Sequence, residues 1–124
     1  MELKIEPTSS TPAVYFNNET NVLVIEGRSL SENPTEYTEI ISKWLEENFF
    51  SNKNDELIFV IKLEYYNSSS FNNILKLLND IEKYYKLGKK AKILWYSHKD
   101  DEVEKEDVEE IKNQFKIPIE ILYF

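Results

Sequence analysis

Hydrophobic and polar positions alternate with a period of two along the first quarter of the chain, and a helical period appears only after it. Glu2 to Glu6 alternates polar and apolar residues and predicts a short strand. Ala13 to Phe16 and Val22 to Glu26 are strand-like. The five residues Asn17-Asn18-Glu19-Thr20-Asn21 between them predict a hairpin loop, and Gly27 is expected to end the second strand. Before the hairpin, Pro7 and Pro12 bracket Thr8-Ser9-Ser10-Thr11, which predicts a hydroxyl-rich loop.

Helix signals begin at Asn33, a good N-cap. Pro34 suits the first helical position and Glu36 completes a capping box. Tyr37, Ile40, Ile41, Trp44 and Leu45 then recur at i, i+3, i+4, i+7 and i+8 and predict one apolar face. Leu57 to Leu63 is a nearly continuous apolar run that predicts a central strand buried on both faces, ending at Glu64-Tyr65-Tyr66. Asn67-Ser68-Ser69-Ser70 leads into a second helix with Phe71, Ile74, Leu75, Leu78, Ile81 and Tyr85 on its face and Gly88 as its stop. Lys92 to Tyr96 predicts a strand and His98 to Asp107 an acidic loop. Val108, Ile111 and Phe115 predict a short third helix, and Ile117 to Phe124 a closing strand. Strands first, then alternating helix and strand, imply an α/β fold: a mixed β-sheet with N-terminal hairpin strands and helices packed on it through right-handed crossovers. No repeat or linker interrupts the pattern, so residues 1–124 are expected to form a single domain.

Composition narrows the function. With 41% of its 124 residues apolar, the chain can bury a core. The formal net charge of −8 argues against nucleic acid and against an anionic membrane surface as partners. It is compatible with a basic protein partner, and it is equally served by solubility alone. The chain has no cysteine, which excludes disulfides, thiol catalysis and cysteine-based zinc sites and fits a cytoplasmic location. No secretory signal opens the sequence and no stretch approaches a membrane span. No glycine loop for phosphates and no zinc motif is present, so no cofactor is expected.

The chemistry concentrates in Asn67-Ser68-Ser69-Ser70, between a buried strand and an amphipathic helix. Sites of open α/β sheets gather at the carboxyl ends of strands, and a helix start favours an anion, so a phosphate on one of these serines would be tolerated there. A serine that merely caps the helix satisfies the same spacing. The Thr8 to Thr11 loop is read as a turn whose hydroxyls bond local backbone. Arg28 can pair with a phosphate or a partner's carboxylate, or serve as a surface cation. His98, the one histidine, is read as a loop residue, because a hydrolase needs a base beside its serine and no Gly-x-Ser-x-Gly elbow exists. The acidic run from Asp100 and Asp101 to Asp107 lacks a calcium loop's spacing and is read as a solvated loop that shares a rim with Ser68. Trp44 is assigned to packing, while Tyr65 and Tyr66 straddle a strand end with one of them exposed.

Four motifs in order carry a resemblance to a known family. Ile5-Glu6-Pro7-Thr8-Ser9-Ser10-Thr11-Pro12, then Gly27-Arg28-Ser29 with Glu32-Asn33-Pro34, then Leu63-Glu64-Tyr65-Tyr66-Asn67-Ser68-Ser69-Ser70, and Leu94-Trp95-Tyr96 before acidic residues resemble the bacterial SiaC family of regulatory phosphoproteins. The resemblance implies an anti-anti-sigma (STAS-like) fold and a phosphoacceptor at Ser68, where the best-described members carry threonine. Ser69 and Ser70 are rivals for that role. It further implies a cognate protein kinase, a metal-dependent phosphatase of the PP2C type, and a diguanylate cyclase that the unmodified protein binds and activates in c-di-GMP and biofilm signalling. Arg28, Tyr66, Asn67, Ser69, Asp100 and Asp101 are the expected partner-binding residues. On this reading the chain is a non-enzymatic switch. The alternatives are an anti-anti-sigma factor acting on an anti-sigma kinase, and a small serine hydrolase with Ser68 as nucleophile.

Overall fold

The computed structural model describes residues 2–31, 33, 35–51 and 55–124. Among them the elements run β1 (Lys4–Ile5), β2 (Ala13–Asn17), β3 (Val22–Ser29), α1 (Thr35–Trp44), a π-helical turn (Leu45–Phe49), β4 (Leu57–Tyr66), α2 (Ser68–Lys86), β5 (Ala91–Ser97), α3 (Glu102–Gln114) and β6 (Ile119–Tyr123). The strands form one six-stranded sheet in the order β1-β2-β3-β4-β5-β6. The pairs β1–β2 and β2–β3 are antiparallel, and β3–β4, β4–β5 and β5–β6 are parallel. The mixed sheet with hairpin strands first is the one the sequence pattern predicts.

Each parallel pair is joined through a helix, and every crossover steps the same way across the sheet. Right-handed crossovers then put all three helices on one face. Ile41 and Trp44 of α1, Ile74, Leu77, Leu78 and Ile81 of α2, and Val108 and Ile111 of α3 meet Phe59, Ile61, Ile93 and Trp95 in a single buried cluster. This corrects the expectation that β4 is buried on both faces. Leu57, Phe59, Ile61 and Leu63 are buried, but Ile58 and Val60 are only partly covered and Lys62 is exposed. Long side chains shield the outer positions instead of a second helix layer. Lys62 Nζ lies 5.2 Å from the Tyr96 ring centroid, and Lys92 pairs with Glu120 at 3.4 Å.

Of the two strands that lead to the candidate site, β4 ends at Tyr66 as expected, while β3 runs further than expected. Gly27 does not end β3. It pairs with Leu63, after which the register shifts so that Arg28 faces Tyr65 and Ser29 faces Tyr66, leaving Glu64 as the extra residue. Gly27 has φ +114°, a conformation that a side chain would strain. The resulting bulge re-aims Arg28, Glu64 and Tyr65 at the carboxyl end of the sheet.

The helices differ from the expected ones in instructive ways. Of the predicted stripe, Tyr37, Ile41 and Trp44 of α1 and Leu45 of the π turn are buried, whereas Ile40 is 44% exposed at its edge. Pro34, the expected first helical residue, lies outside the described residues. A π turn closed by the Phe50 N–H on the Leu45 carbonyl (2.8 Å) then shifts the helical phase, so that the consecutive Phe49 and Phe50 both enter the core. The buried face of α2 is rotated toward Ser70, Asn73, Leu77 and Glu82, with Phe71, Leu75 and Tyr85 half-buried. Glu82 turns inward because its Oε1 accepts the Lys116 and Ile117 amides ahead of β6. At Gly88, φ is +98° and Lys89 N–H reaches the Tyr84 carbonyl, a Schellman stop.

The acidic segment is the main correction. It is not a loop through Asp107: α3 starts at Glu102, and Asp101 caps it by accepting the Glu104 amide at 3.0 Å. Acidic residues in a first turn complement the helix dipole, so their density marks a helix start here.

Ile61 is fully buried between Ile25 and Trp95 in register. Ile61→Asp is expected to cost at least about 3 kcal/mol, by placing an unpaired carboxylate in the core. Urea unfolding measures it, and a variant that unfolds at the parent's midpoint would contradict the assignment of β4 to the core.

Candidate functional site

The carboxyl ends of β3, β4 and β5 and the N-termini of α2 and α3 converge on one edge of the sheet. Asn67, at φ −90° and ψ 176°, is the N-cap of α2 and its Oδ1 accepts the Ser70 amide at 2.8 Å. Its own N–H donates to the Ser29 carbonyl at 3.1 Å and its Nδ2 to the Ser31 carbonyl at 3.3 Å. Asparagine, and none of the three serines, therefore caps the helix.

The serines separate by environment. Ser70 is fully buried. Its hydroxyl donates to the Ser29 carbonyl at 2.7 Å and accepts from the Ser29 hydroxyl at 2.6 Å, which lies 2.7 Å from the Tyr37 hydroxyl. Burial raises the Tyr37 pKa, against the opposing effect of its bonds to Ser29 and Ser70, so the phenol stays a neutral donor to this cluster. Ser68 and Ser69, in the first turn of α2, are both exposed. The Ser69 carbonyl accepts from Asn73 Nδ2 at 2.8 Å. Ser70 thus has no free hydroxyl to offer a kinase, and Ser68 and Ser69 do.

Ser68 lines a pocket of about 240 Å³ with Tyr66, Asn67, Phe71, Asn72 and Asp107. A larger cleft of about 770 Å³ opens beside it, sharing Tyr66 and Asp107. Arg28, Tyr65, His98, Asp100 and Asp101 also line that cleft. The geometry therefore brings Arg28, Tyr66, Asp100 and Asp101 together, next to Asn67 and Ser68. Arg28 pairs with Glu64 at 3.5 Å and lies over the Tyr65 ring at 5.3 Å, an exposed arrangement of small energetic weight.

The floor of the cleft is organised by Glu104, which the sequence reading passed over. It is buried at the first turn of α3. Its Oε1 accepts from the Ser97 hydroxyl and the His98 amide, both at 2.8 Å. His98 Nδ1–H donates to the same carboxylate at 3.0 Å from Oε2. The half-buried Tyr66 hydroxyl also bonds it. Burial first, then Glu104 and more distantly Asp101 and Asp107, push the Tyr66 pKa well above that of an ordinary phenol. Glu104 could have been suspected from spacing: with Val108 and Ile111 it falls at i, i+4 and i+7 on the inward face. His98 is tied to Glu104, and among the described residues no hydrogen bond joins it to Ser68.

The remaining candidates stay outside the site. In the Thr8 to Thr11 loop, Thr8 Oγ1 accepts the Thr11 amide at 2.9 Å and the Ser10 amide at 3.2 Å, which closes the turn locally as expected. The Ser10 carbonyl accepts the Leu30 and Ser31 amides, tying the loop to the end of β3. Trp44 packs on Phe16 with centroids 4.7 Å apart, and Trp95 is buried. Tyr65 is the exposed member of the tyrosine pair, at 61%. No described helix is long and apolar enough to cross a membrane.

Glu104→Ala strands the Ser97, His98 and Tyr66 donors in a buried site. A loss of about 2–4 kcal/mol in urea unfolding is expected, with Glu104→Gln recovering part of it. An alanine variant as stable as the parent would show that Glu104 does not organise the cleft floor.

Known proteins resemble this chain along nearly all of it. The family model for SiaC family regulatory phosphoproteins matches residues 5–124. An uncharacterized protein of Pseudomonas aeruginosa (strain UCBPP-PA14) is 27% identical over 120 residues, covering 97% of this chain and 94% of its own. The crystal structure of apo-SiaC from Pseudomonas aeruginosa is similar with a TM-score of 0.84 and 25% identity, over 98% of both chains. A crystal structure of the diguanylate cyclase SiaD in complex with its activator SiaC, also from Pseudomonas aeruginosa, matches with a TM-score of 0.87 and 26% identity, over 98% of this chain and 99% of that one. With its fold and nearly its whole length matched, this chain belongs to the SiaC family of regulatory phosphoproteins.

Proposed function

We propose that this chain is a phosphorylation-controlled docking protein that, with Ser68 unmodified, binds and activates a diguanylate cyclase. The observation that carries this reading is the likeness, at a TM-score of 0.87, to a SiaC structure described as the activator in complex with its cyclase. A cognate kinase adds the phosphate and a PP2C-type phosphatase removes it, in the cytoplasm, and the chain itself catalyses nothing. The element order, with hairpin strands first and then helix–strand units packed on one face, supports describing the fold as STAS-like.

Ser68 is the assigned acceptor and Ser69 its remaining rival. Phosphate on Ser70 would have to break the buried bonds to Ser29 and seat a dianion in the core, which is prohibitive. A phosphate on Ser68 carries about −1.5 to −2 charges at neutral pH. At a helix start this is tolerated or stabilising by roughly 0.3–1 kcal/mol. Asp107 shares the Ser68 pocket and Arg28 is already paired with Glu64, so among the described residues no free cation of the cleft draws the phosphate inward. Its effect falls on the partner instead. A surface that closes over a neutral hydroxyl would have to bury a dianion without a counter-charge.

Ser68→Ala is expected to retain the cyclase constitutively and to resist the kinase. Ser68→Asp, with one charge and a shorter reach, should reproduce the blocked state only in part. Phosphosite mapping by mass spectrometry and pull-down from the native cell, comparing Ser68→Ala with the phosphorylated chain, test this. Co-purification of a diguanylate cyclase with the alanine form alone supports the reading. Equal capture by both forms, or phosphate found only on Ser69 or in the Thr8 to Thr11 loop, overturns it.

A further inference from the structure

We infer that the large cleft at the carboxyl edge of the sheet seats a short segment of the partner protein that presents an arginine or lysine beside an aliphatic side chain. This rests on the docking function proposed above and names the chemistry of the surface that docks.

The cleft combines exposed apolar walls with a charged lining. Its walls carry large apolar groups left in solvent: Tyr65 at 61%, Val103 at 71% and Phe124 at 41% exposure. Phe124 packs against His98 with centroids 4.5 Å apart, and His98 is fixed by Glu104, so this wall is held in place before any partner arrives. Apolar groups rimmed by polar ones mark surfaces that associate. At about 770 Å³, the cleft has room for several side chains.

Charge selects the occupant. Five carboxylates line the cleft, from Glu64, Asp100, Asp101, Glu104 and Asp107, against one guanidinium, that of Arg28. Arg28 is met by Glu64 and Glu104 is satisfied by its buried donors, while Asp101 caps α3. Asp100 and Asp107 remain, and among the described residues neither makes an ion pair. A guanidinium or ammonium entering between them gains charge-assisted bonds while its neighbouring aliphatic side chain covers Val103 and Phe124. An acidic segment would meet the same carboxylates without a counter-charge.

The assignment also separates two contributions to docking. Tyr66 and Asp107 line both the cleft and the Ser68 pocket, so a phosphate on Ser68 makes the neighbourhood more anionic. Attraction for a basic segment is then kept or increased by phosphorylation, and the loss of docking arises where the partner closes over Ser68 itself.

The test is a titration of the ¹⁵N-labelled full chain with the tripeptide amide acetyl-Leu-Arg-Leu-NH₂, and with acetyl-Leu-Glu-Leu-NH₂ as its acidic counterpart. Saturable shifts of the Tyr65, Tyr66, His98, Val103 and Phe124 amides with the arginine peptide alone are expected. The double substitution Asp100→Asn with Asp107→Asn should weaken that binding roughly three- to tenfold without moving the unfolding midpoint. Absence of saturation, equal response to the glutamate peptide, or indifference to the double substitution would overturn the inference. With phosphoserine installed at position 68, affinity for the arginine peptide should be unchanged or higher, and a fall would also overturn it. Failure of the switch itself reads out differently, as equal affinity of both forms for the intact cyclase, and leaves the peptide result standing.

Discussion

Three chain segments far apart in sequence are held together by a small cluster of buried hydroxyls. Ser29 ends β3, Tyr37 lies in the first turn of α1, and Ser70 lies in the first turn of α2. The Ser29 hydroxyl sits 2.7 Å from that of Tyr37 and 2.6 Å from that of Ser70, and all three residues are buried. Asn67 adds three more bonds, to Ser29, Ser31 and Ser70, so the N-terminus of α2 is fastened on several sides. A satisfied buried hydrogen bond contributes only about 1 kcal/mol net, but leaving one of these groups unpaired costs roughly 1–3 kcal/mol. The cluster therefore acts mainly as a constraint. It permits one orientation of the first turn of α2, in which Ser70 faces in and Ser68 faces out.

The second anchor of the site is a charge. Glu104 is buried, yet it gathers donors from β4, β5 and the segment after β5, and so fixes α3 to the sheet beside the cleft. The bulge at Gly27 has the complementary role on the other side, because it turns Arg28 and Tyr65 toward the same edge. Between these two anchors lies a surface of exposed aromatic and apolar groups beside Asp100 and Asp107, which make no ion pair among the described residues. A regulatory phosphoprotein can thus change what its surface offers a partner while the sheet and the helices behind it stay as they are.

Much of this was legible in the sequence, and the failures have physical causes. The hairpin, the alternation of helices and strands and the interior place of β4 follow from periodicity, because long periodic segments leave few alternatives. One-sided burial of β4 did not follow. Ile58 and Val60 are apolar, and nothing in a strand's own sequence tells a second helix layer from shielding by neighbours such as Lys62 and Lys92. The acidic run looked like a solvated loop because carboxylates at a helix N-terminus and in a loop have the same composition, and only the Asp101-to-Glu104 spacing separates them. The candidate site was found through Asn67-Ser68-Ser69-Ser70, but its inner and outer serines could not be told apart. Which of three adjacent hydroxyls faces inward depends on Ser29 and Tyr37, some 30 to 40 residues away.

The central claim is that the first turn of α2 is a rigid platform whose modification alters the surface and leaves the fold intact. Amide hydrogen exchange on the unmodified chain and on the chain carrying phosphoserine at position 68 tests it most directly. Protection of the Ser70 and Phe71 amides, which bond to Asn67, and of the Asn67 amide on Ser29 should be equal in the two forms or slightly greater in the phosphorylated one. Loss of that protection on phosphorylation, with α2 fraying from its N-terminus, would contradict the account and make the switch a conformational one.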